Sequence, residues 1–337
     1  MLGRLITFLL LTLTCCAPLP AQLTLGAYFD ALFFDSRAKR LEDFAPLKDA
    51  GFLRLASNFT PDDDPILDLC AKGGVKVLFS PNGVSEAQEA AFFAKYAAAI
   101  DSYMVLDDAN TFPGGKAAVV AKVTAARARL PAGVKTFLTF GKNATAAEWA
   151  NTAEIAGLQL YGYGEAAPGG TLKAWNWTYV QAWRAAHTGK LWVHPYLGKR
   201  AAPFFAQYPT TADGKVLAPD PFLSAEEYVP LAYNEAAIWT SLCAGADDIL
   251  FYSAYSISQP YPVFSYRIAK RRDLLPGYKS VLARVRFYEK YLAGVRSPFD
   301  QGTVVGAAWT LPSGESLTVR VDTDEFDPHV YFQVSGP

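Results

Sequence analysis

Histidine is scarce in this sequence. Only three occur among 337 residues, at positions 187, 194 and 329, and none of them belongs to a His-Glu-x-x-His motif. A metal centre built from several histidines is therefore not predicted. His194 is the one histidine placed where a predicted strand ends, so we retain it as a candidate binding residue.

Cysteine is nearly as rare, with four residues in the whole chain. Cys15 and Cys16 lie in the N-terminal leader, which leaves Cys70 and Cys243 far apart in apolar helical patterns. Two such cysteines do not make a disulfide framework, and neither has the spacing of a zinc site. We predict two buried free thiols and no bound metal.

Charge is also limited. Charged residues make up 19% of the chain, hydrophobic residues 51%, and the formal net charge is −1. This composition is typical of a well-buried globular protein and gives no electrostatic reason to expect nucleic acid as a partner. The chain has no Gly-x-Gly-x-x-Gly after its first strand and no Gly-x-Ser-x-Gly, so we predict neither a dinucleotide cofactor nor a serine triad.

The N-terminus has the features of a targeting segment. Arg4 precedes an apolar run over residues 5–13, and Leu19-Pro20-Ala21 resembles a cleavage site, so residues 1–21 are predicted to be a signal peptide. A second interpretation is a lipoprotein signal with Cys16 as the lipid anchor. Both predict a secreted, periplasmic or cell-surface protein. No later apolar run is long enough to span a membrane.

From residue 23 to residue 294 the pattern of strand, loop and helix repeats eight times. Strands that alternate with helices predict a parallel sheet, and eight units in about 270 residues are typical of a (β/α)8 (TIM) barrel in the α/β class. The pattern then changes to a period of two over residues 304–309, 316–321 and 330–334. Residues 300–337 are therefore predicted to form a small C-terminal antiparallel β appendage.

The end of the fourth strand, Val-Leu-Asp107-Asp108-Ala-Asn110, carries two adjacent carboxylates. Side chains at the C-terminal ends of barrel strands commonly perform the chemistry, so both acids are candidates. Since neighbouring side chains on a strand face opposite ways, we expect one of the two to point into the barrel, and we favour Asp107. The alternative is that one acid caps the next helix.

Other polar and aromatic side chains follow the remaining strands. Aromatic faces beside polar groups suit ligands that are apolar on one face and hydroxylated at the edge, as sugars are. Each aromatic residue alone could equally fill the core beneath a loop. The candidate binding residues are Asp30, Asn110, Tyr161, Tyr163, Trp175, Trp177, His194, Tyr196 and Tyr255.

These segments together resemble secreted glycoside hydrolases of the (β/α)8 type. The resemblance rests on the signal peptide, the strand-four segment, Tyr-Gly-Tyr-Gly-Glu165 after strand six, and Gly245-Ala-Asp-Asp-Ile-Leu-Phe-Tyr-Ser253 at strand eight. The arrangement is similar to that of α-galactosidase-like enzymes, which place a nucleophile after strand four and an acid after strand six. It departs from the largest clan, because strand four lacks an Asn-Glu pair and His194-Pro195-Tyr196 stands where a glutamate would end strand seven.

The resemblance implies hydrolysis of a poly- or oligosaccharide by two carboxylates, without a cofactor. Asp107 with Glu165 is the first pairing, and Asp108 or Asp30 can replace either partner. Two alternatives remain open. The barrel could bind glycans or a surface partner without catalysis, or it could be a deacetylase or a lyase, the latter with Tyr163 or Lys199 as the base.

Overall fold

The computed structural model describes residues 23–29, 36–141, 143–160, 171–195, 229–255, 273–324 and 327–337. Eight strands form a closed parallel barrel in chain order, with β8 pairing to β1. The predicted (β/α)8 barrel is confirmed. Its strands are β1 (Gly26–Phe29), β2 (Arg54–Phe59), β3 (Lys76–Pro81), β4 (Ile100–Leu106), β5 (Lys135–Phe140), β6 (Ile155–Leu160), β7 (Lys190–Pro195) and β8 (Asp248–Tyr255).

Helices connect the strands and surround the barrel. They are α1 (Ser36–Ala50), α2 (Asp64–Gly73), α3 (Glu86–Tyr96), α4 (Gly115–Arg129), α5 (Ala146–Trp149), α6 (Val180–Ala186), α7 (Leu231–Ala244) and α8 (Leu275–Leu292). Local sequence sets their ends. Ser85 and Gln88 form a capping box at the start of α3, and Gly245, with a φ of 115°, ends α7 in the left-handed conformation that glycine adopts without strain. The sequence pattern over residues 172–187 predicts one helix, but the structure has a π-helical segment, Lys173–Tyr179, followed by α6.

The alternation of side chains along the strands creates two separate apolar layers. One set fills the barrel interior and the other packs between strands and helices. The interior set is Ala56, Leu78, Met104, Phe137, Ile155, Trp192 and Leu250, with Tyr28 packed against it. The barrel is therefore a filled core, and access to it is from its ends.

The N-terminal end of the barrel is closed by a buried ion pair. Arg54 donates to Asp101 Oδ1 at 2.6 Å and lies 3.4 Å from Asp248 Oδ2. Its guanidinium stacks 4.0 Å above the Trp192 ring. Burial raises the pKa of Asp248 to about 7, because the one arginine lies closer to Asp101 and compensates Asp248 only in part.

The C-terminal appendage is a four-stranded antiparallel sheet. Its strands are β9 (Val295–Gln301), β10 (Val304–Thr310), β11 (Ser316–Asp322) and β12 (His329–Ser335), in the order β12-β11-β10-β9. The sequence predicted the last three. β9 was missed because Pro298 and its mostly exposed side chains break the apolar alternation. Phe332 of β12 packs against Trp239 of α7 and stacks on Tyr288 of α8 at 4.7 Å.

Cys70 on α2 and Cys243 on α7 are both buried thiols outside any disulfide, as predicted. Burial and the absence of a nearby partner thiol explain why neither forms a disulfide. Within the described ranges, none of the helices combines the length and the apolar character needed to cross a membrane.

Candidate functional site

Asp107 lies directly after β4, at the C-terminal end of the barrel, and its side chain is exposed. Two neighbouring strands hold its carboxylate. The Thr139 hydroxyl of β5 donates to Oδ1, and Gln159 Nε2 of β6 donates to the same oxygen at 2.9 Å. Within the described part of the chain Oδ2 accepts no hydrogen bond. One oxygen of this exposed carboxylate is therefore fixed by the barrel.

Thr139 organises this end of the barrel. Its hydroxyl accepts from the Asp108 backbone N–H at 2.7 Å and from Gln159 Nε2 at 3.1 Å. A hydroxyl has one proton and two lone pairs, so both acceptor positions are filled and the proton is directed to Asp107. The geometry therefore defines the direction of each of these hydrogen bonds.

A bulge in β4 turns Asp107 toward the barrel interior. The pairing of β4 with β5 runs from Met104 opposite Phe137 to Leu106 opposite Leu138, so one strand has an extra residue. Met104 and Phe137 belong to the interior layer, whereas Leu106 and Leu138 pack in the outer layer. Without the extra residue Leu106 would face inward. The bulge exchanges the two faces, which is a known use of bulges beside functional sites.

Asp108 does not continue the strand. It has φ 47° and ψ 47°, a left-handed conformation, and precedes a 3₁₀ turn over Ala109–Thr111. Its carbonyl accepts from the backbone and the hydroxyl of Thr111, both at 2.9 Å. Its side chain makes no capping hydrogen bond to that turn. The alternation of side chains along a strand therefore applies as far as Asp107 and does not predict the direction of the Asp108 side chain.

Asn110 connects the loops after β4 and β5. Its Oδ1 accepts from the Gly141 backbone N–H at 3.0 Å. Farther round the barrel, Ser80 of β3 donates to Asn58 Oδ1 of β2 at 2.9 Å. Polar side chains from β2 to β6 are therefore placed at the same end of the barrel as Asp107.

His194 lies deeper than the sequence predicted. It is fully buried on β7, stacked against Phe137 with ring centroids 5.7 Å apart and edge-on to Tyr28 at 5.6 Å. Among described residues neither ring nitrogen has a hydrogen-bond partner. Burial lowers its pKa to about 3, so the imidazole is neutral at ordinary pH.

The predicted aromatic residues are separated by the structure. Trp175 is half-buried and packs against the outer layer, and Trp177 is only 2% exposed within that layer. Both lie on the π-helical segment outside the barrel. The Trp177 ring is therefore a packing residue of the outer layer and has too little exposed surface to stack a ligand. Tyr28 and Tyr252, 5.5 Å apart, bring aromatic rings to the β1–β8 side instead.

Several candidates lie outside the described residues, namely Asp30, Tyr161, Tyr163, Glu165, Tyr196 and Lys199. Tyr255 ends β8, and its side chain is also outside the description. Among the side chains that are described, no group of three or more His, Cys, Asp or Glu is placed to hold a metal ion.

Thr139 and Gln159 were not predicted from the sequence. A signal for both exists in the strand parity. Phe137 and Ile155 face the barrel interior, so the residues two and four positions later face the same way and reach its C-terminal end. Polar residues at inward positions near the end of a strand are therefore the pattern that identifies them.

No protein-family model matches the sequence, and no curated protein matches it either. Solved structures do match. A β-glucuronidase from an uncultured Clostridium species aligns with a TM-score of 0.54 and 10% identity, over 78% of this chain and 50% of that one. The Lactobacillus rhamnosus β-glucuronidase aligns with a TM-score of 0.55 and 10% identity, over 78% and 50% of the two chains.

A third match extends into the C-terminal sheet. Bacteroides uniformis β-glucuronidase 2, covalently bound to cyclophellitol-6-carboxylate aziridine, aligns with a TM-score of 0.51 and 12% identity. The alignment covers 94% of this chain and 43% of that one. This chain spans about half the length of the solved structures it matches. At such identities the likeness shows the fold.

Proposed function

We propose that the barrel hydrolyses glycosidic bonds at its C-terminal end, with Asp107 as nucleophile or base and Glu165 as general acid. The observation that carries the proposal is the orientation and exposure of the Asp107 carboxylate. Thr139 and Gln159 hold one of its oxygens, and the side chain is exposed at the end of the barrel where such enzymes place their chemistry. A carboxylate held in one orientation is what nucleophilic attack on a sugar, or removal of a proton from a water that attacks the sugar, requires.

The comparisons support the sugar-directed part of the proposal. The matching solved structures are named β-glucuronidases, and one carries a covalently bound cyclophellitol derivative. We therefore choose aryl β-glucuronides as the first substrates to assay. Asn110, Tyr161, Tyr163, Trp175, Tyr196 and Tyr255 are proposed to contribute to the sugar-binding surface, with Asp30 and Asp108 as alternative carboxylates.

The test removes each proposed charge with little change of shape. Asp107→Asn is expected to lower turnover at least ~10²-fold while sugar binding persists, because the carboxylate acts mainly in the transition state. Glu165→Gln is expected to impair substrates with poor leaving groups far more than activated aryl glycosides, since only the former need protonation. Asp49→Asn, on the exposed surface of α1, is the matched control.

Asp108→Asn decides between the two adjacent acids. We expect it to leave most of the activity, because the left-handed turn at Asp108 takes that residue out of the strand. Near-normal turnover in Asp107→Asn together with a large loss in Asp108→Asn would transfer the role to Asp108. Glycan binding without cleavage of any substrate tested would instead favour a non-catalytic binding barrel.

A further inference from the structure

A cavity lies at the end of the barrel opposite Asp107. It has a volume of about 530 Å³, within the range of small-molecule sites. Lys135 and Lys190 are the first residues of β5 and β7, whereas Glu154 and Asp247 immediately precede β6 and β8. Its charged lining therefore comes from the N-terminal ends of four consecutive strands and from the helices α4 and α6. The lining charges are Arg127, Lys135, Glu154, Arg184, Lys190 and Asp247.

The cavity carries an excess of positive charge. Four basic and two acidic side chains line it, a formal balance of +2, although the whole chain has a net charge of −1. Arg127 and Lys135 share the single carboxylate of Glu154 at 3.9 and 3.7 Å, both longer than a hydrogen bond. Within the described residues Lys190 has no carboxylate within 4 Å. Three cations thus retain donors for a ligand.

The two acidic side chains are engaged by the protein itself. Glu154 Oε2 accepts from the backbone and the hydroxyl of Thr136, at 3.0 and 3.1 Å. Asp247 Oδ2 accepts from the Leu191 backbone N–H at 2.7 Å and from Arg184 at 2.9 Å. These bonds fix the walls of the cavity, so the acids position the site without neutralising it.

The two arginines have a structural purpose that the two lysines lack. Arg127 and Arg184 lie in the last turns of α4 and α6, where a cation complements the helix dipole. Arg184 also donates to the carbonyls of His187 and Gly189. Lys135 and Lys190 are the first residues of strands, so neither complements a helix dipole. Their placement around one cavity is explained by a bound anion.

We propose that this cavity binds a doubly charged oxyanion, a phosphate or sulfate group carried by a small molecule. A dianion balances the excess of two positive charges, and lysine and arginine make strong charge-assisted hydrogen bonds to such groups. The cavity is larger than a bare ion needs, so it also accommodates the group to which the oxyanion is attached. The site is separate from the proposed catalytic end and does not depend on it.

Close packing and hydrogen bonds fix the walls of the cavity. Gly189 packs so closely that a Cβ there would lie 2.2 Å from the Glu154 carbonyl oxygen. Asn151 joins the same loop, because its Oδ1 accepts from the backbone and the hydroxyl of Thr188 at 2.8 and 2.9 Å. A preformed site loses less conformational entropy when the ligand binds.

The test measures binding to the full chain and needs no activity assay. Inorganic phosphate, inorganic sulfate, glucose 6-phosphate and glucose are titrated at constant ionic strength, with sodium chloride as the compensating salt, while the melting temperature and calorimetric binding are followed. We expect saturable stabilisation by the three oxyanions, tightest for glucose 6-phosphate, and no stabilisation by glucose that depends on Lys135 and Lys190. The double variant Lys135→Gln/Lys190→Gln is expected to weaken binding at least tenfold.

Lys279→Gln, an exposed residue of α8 that does not line the cavity, is the matched control and should bind as the unmodified chain does. Equal oxyanion binding by the double variant and the unmodified chain would overturn the site. So would an absence of stabilisation beyond that given by sodium chloride. Glucose binding that is as tight as that of glucose 6-phosphate and is weakened equally by the double variant would overturn the oxyanion assignment. None of these outcomes bears on the glycosidase proposal.

Discussion

His194 and Asp248 are buried ionisable residues near opposite ends of the barrel interior, and burial shifts their pKa values in opposite directions. The pKa of His194 is lowered to about 3, and that of Asp248 is raised to about 7. In both cases removal from water disfavours the charged form. The ordinary values are 6.5 for histidine and 3.8 for aspartate. Between about pH 4 and pH 6.5, therefore, unfolding changes the protonation of both groups.

The two groups have opposite effects on stability in that range. Unfolding lets His194 bind a proton below about pH 6.5, so its contribution favours the folded state more as the pH rises. Unfolding lets Asp248 release a proton above about pH 4, so its contribution favours the folded state less as the pH rises toward 7. Each effect has a slope of up to ~1.4 kcal/mol per pH unit, and together they largely cancel.

We predict that single substitutions separate these opposing slopes. In His194→Phe the free energy of unfolding should fall with rising pH between 4.5 and 6.5, relative to the unmodified chain. In Asp248→Asn it should rise with pH over the same range. Urea unfolding at pH 4.5, 5.5 and 6.5 measures both. Comparing slopes rather than absolute values removes the packing cost of each substitution and the contribution of other titrating groups.

The double variant His194→Phe/Asp248→Asn should recover a pH dependence close to that of the unmodified chain. Identical slopes in all four proteins would contradict the assignment, because it would mean that neither group changes its protonation when the chain unfolds. The comparison remains valid if both substitutions lower stability, as the loss of an Arg54 partner in Asp248→Asn is expected to do.

Three strands cooperate at the proposed catalytic end. β4 supplies Asp107, β5 supplies Thr139 and β6 supplies Gln159, and the threonine hydroxyl joins all three. The bulge in β4 makes this possible, since it brings Asp107 into line with Thr139 on the inner face. The orientation of the carboxylate is thus a property of the strand pairing.

We predict that Thr139→Val lowers turnover ~10-fold to 10²-fold with a smaller change in KM. The substitution nearly preserves volume but removes one of the two donors that hold Asp107, so only Gln159 restrains the carboxylate and its orientation becomes less fixed. Thr139→Ser keeps the hydroxyl and should restore most of the turnover. A valine variant as active as the unmodified chain would show that the hydrogen bond does not position the acid.

The sequence predicted the elements of the barrel better than the details of their pairing. Alternating strands and helices identified eight units, because each buried strand was an apolar run bounded by glycine, proline or polar residues. The bulge at Val105 could not be predicted, since it is defined only relative to β5. The roles of Thr139 and Gln159 depend on that register and were missed for the same reason.

Burial was the second quantity that the sequence left open. His194 and Trp177 were predicted to meet a ligand because of their positions after strands, but both are packed within the described structure. A polar or aromatic residue near the end of a strand faces either the site or the layer beneath it, and one residue of register decides between them. Asp107 was assigned to the inner face in agreement with the structure, although the bulge is the cause.

At the scale of the whole molecule, α7 lies between two β structures. It contacts β7 of the barrel and also β10, β11 and β12 of the C-terminal sheet. Eleven of its fourteen residues are buried, as expected for a helix covered on all sides. An ion pair and a hydrogen bond also connect the sheet to the barrel portion of the chain. Lys173 Nζ lies 2.7 Å from Asp300 of β9, and Arg296 of β9 donates to the Cys243 carbonyl of α7 at 2.5 Å.

This packing makes the sheet a structural partner of the barrel. Phe332 of the edge strand packs between Trp239 and Tyr288. The neighbouring Tyr331 is 56% exposed, because successive side chains of β12 face opposite ways. The strand thus offers Phe332 in the interface and Tyr331 as a matched aromatic residue outside it.

We predict that the barrel and the sheet unfold in a single transition and that Phe332→Ala destabilises both together. Losing a buried phenylalanine side chain costs ~3–5 kcal/mol when fully packed, and less at a partly covered edge strand. The barrel and the sheet should therefore shift to lower temperature by the same amount. Tyr331→Ala should change the melting temperature far less. Calorimetry measures the number of transitions. Tryptophan fluorescence follows the unfolding of the barrel and of the sheet, because Trp309 alone of the seven tryptophans lies in the sheet.

Introducing Trp309→Phe separates the signals, because the remaining six tryptophans all lie in the barrel portion of the chain. If the sheet were only an attachment, Phe332→Ala in this background would leave the barrel transition unchanged while the sheet strands lost their protection from hydrogen exchange. If α7 couples the two structures, exchange in β10 and β11 and the tryptophan transition will shift together. The second result is expected, since removing the sheet would expose the face of α7 that β10, β11 and β12 cover.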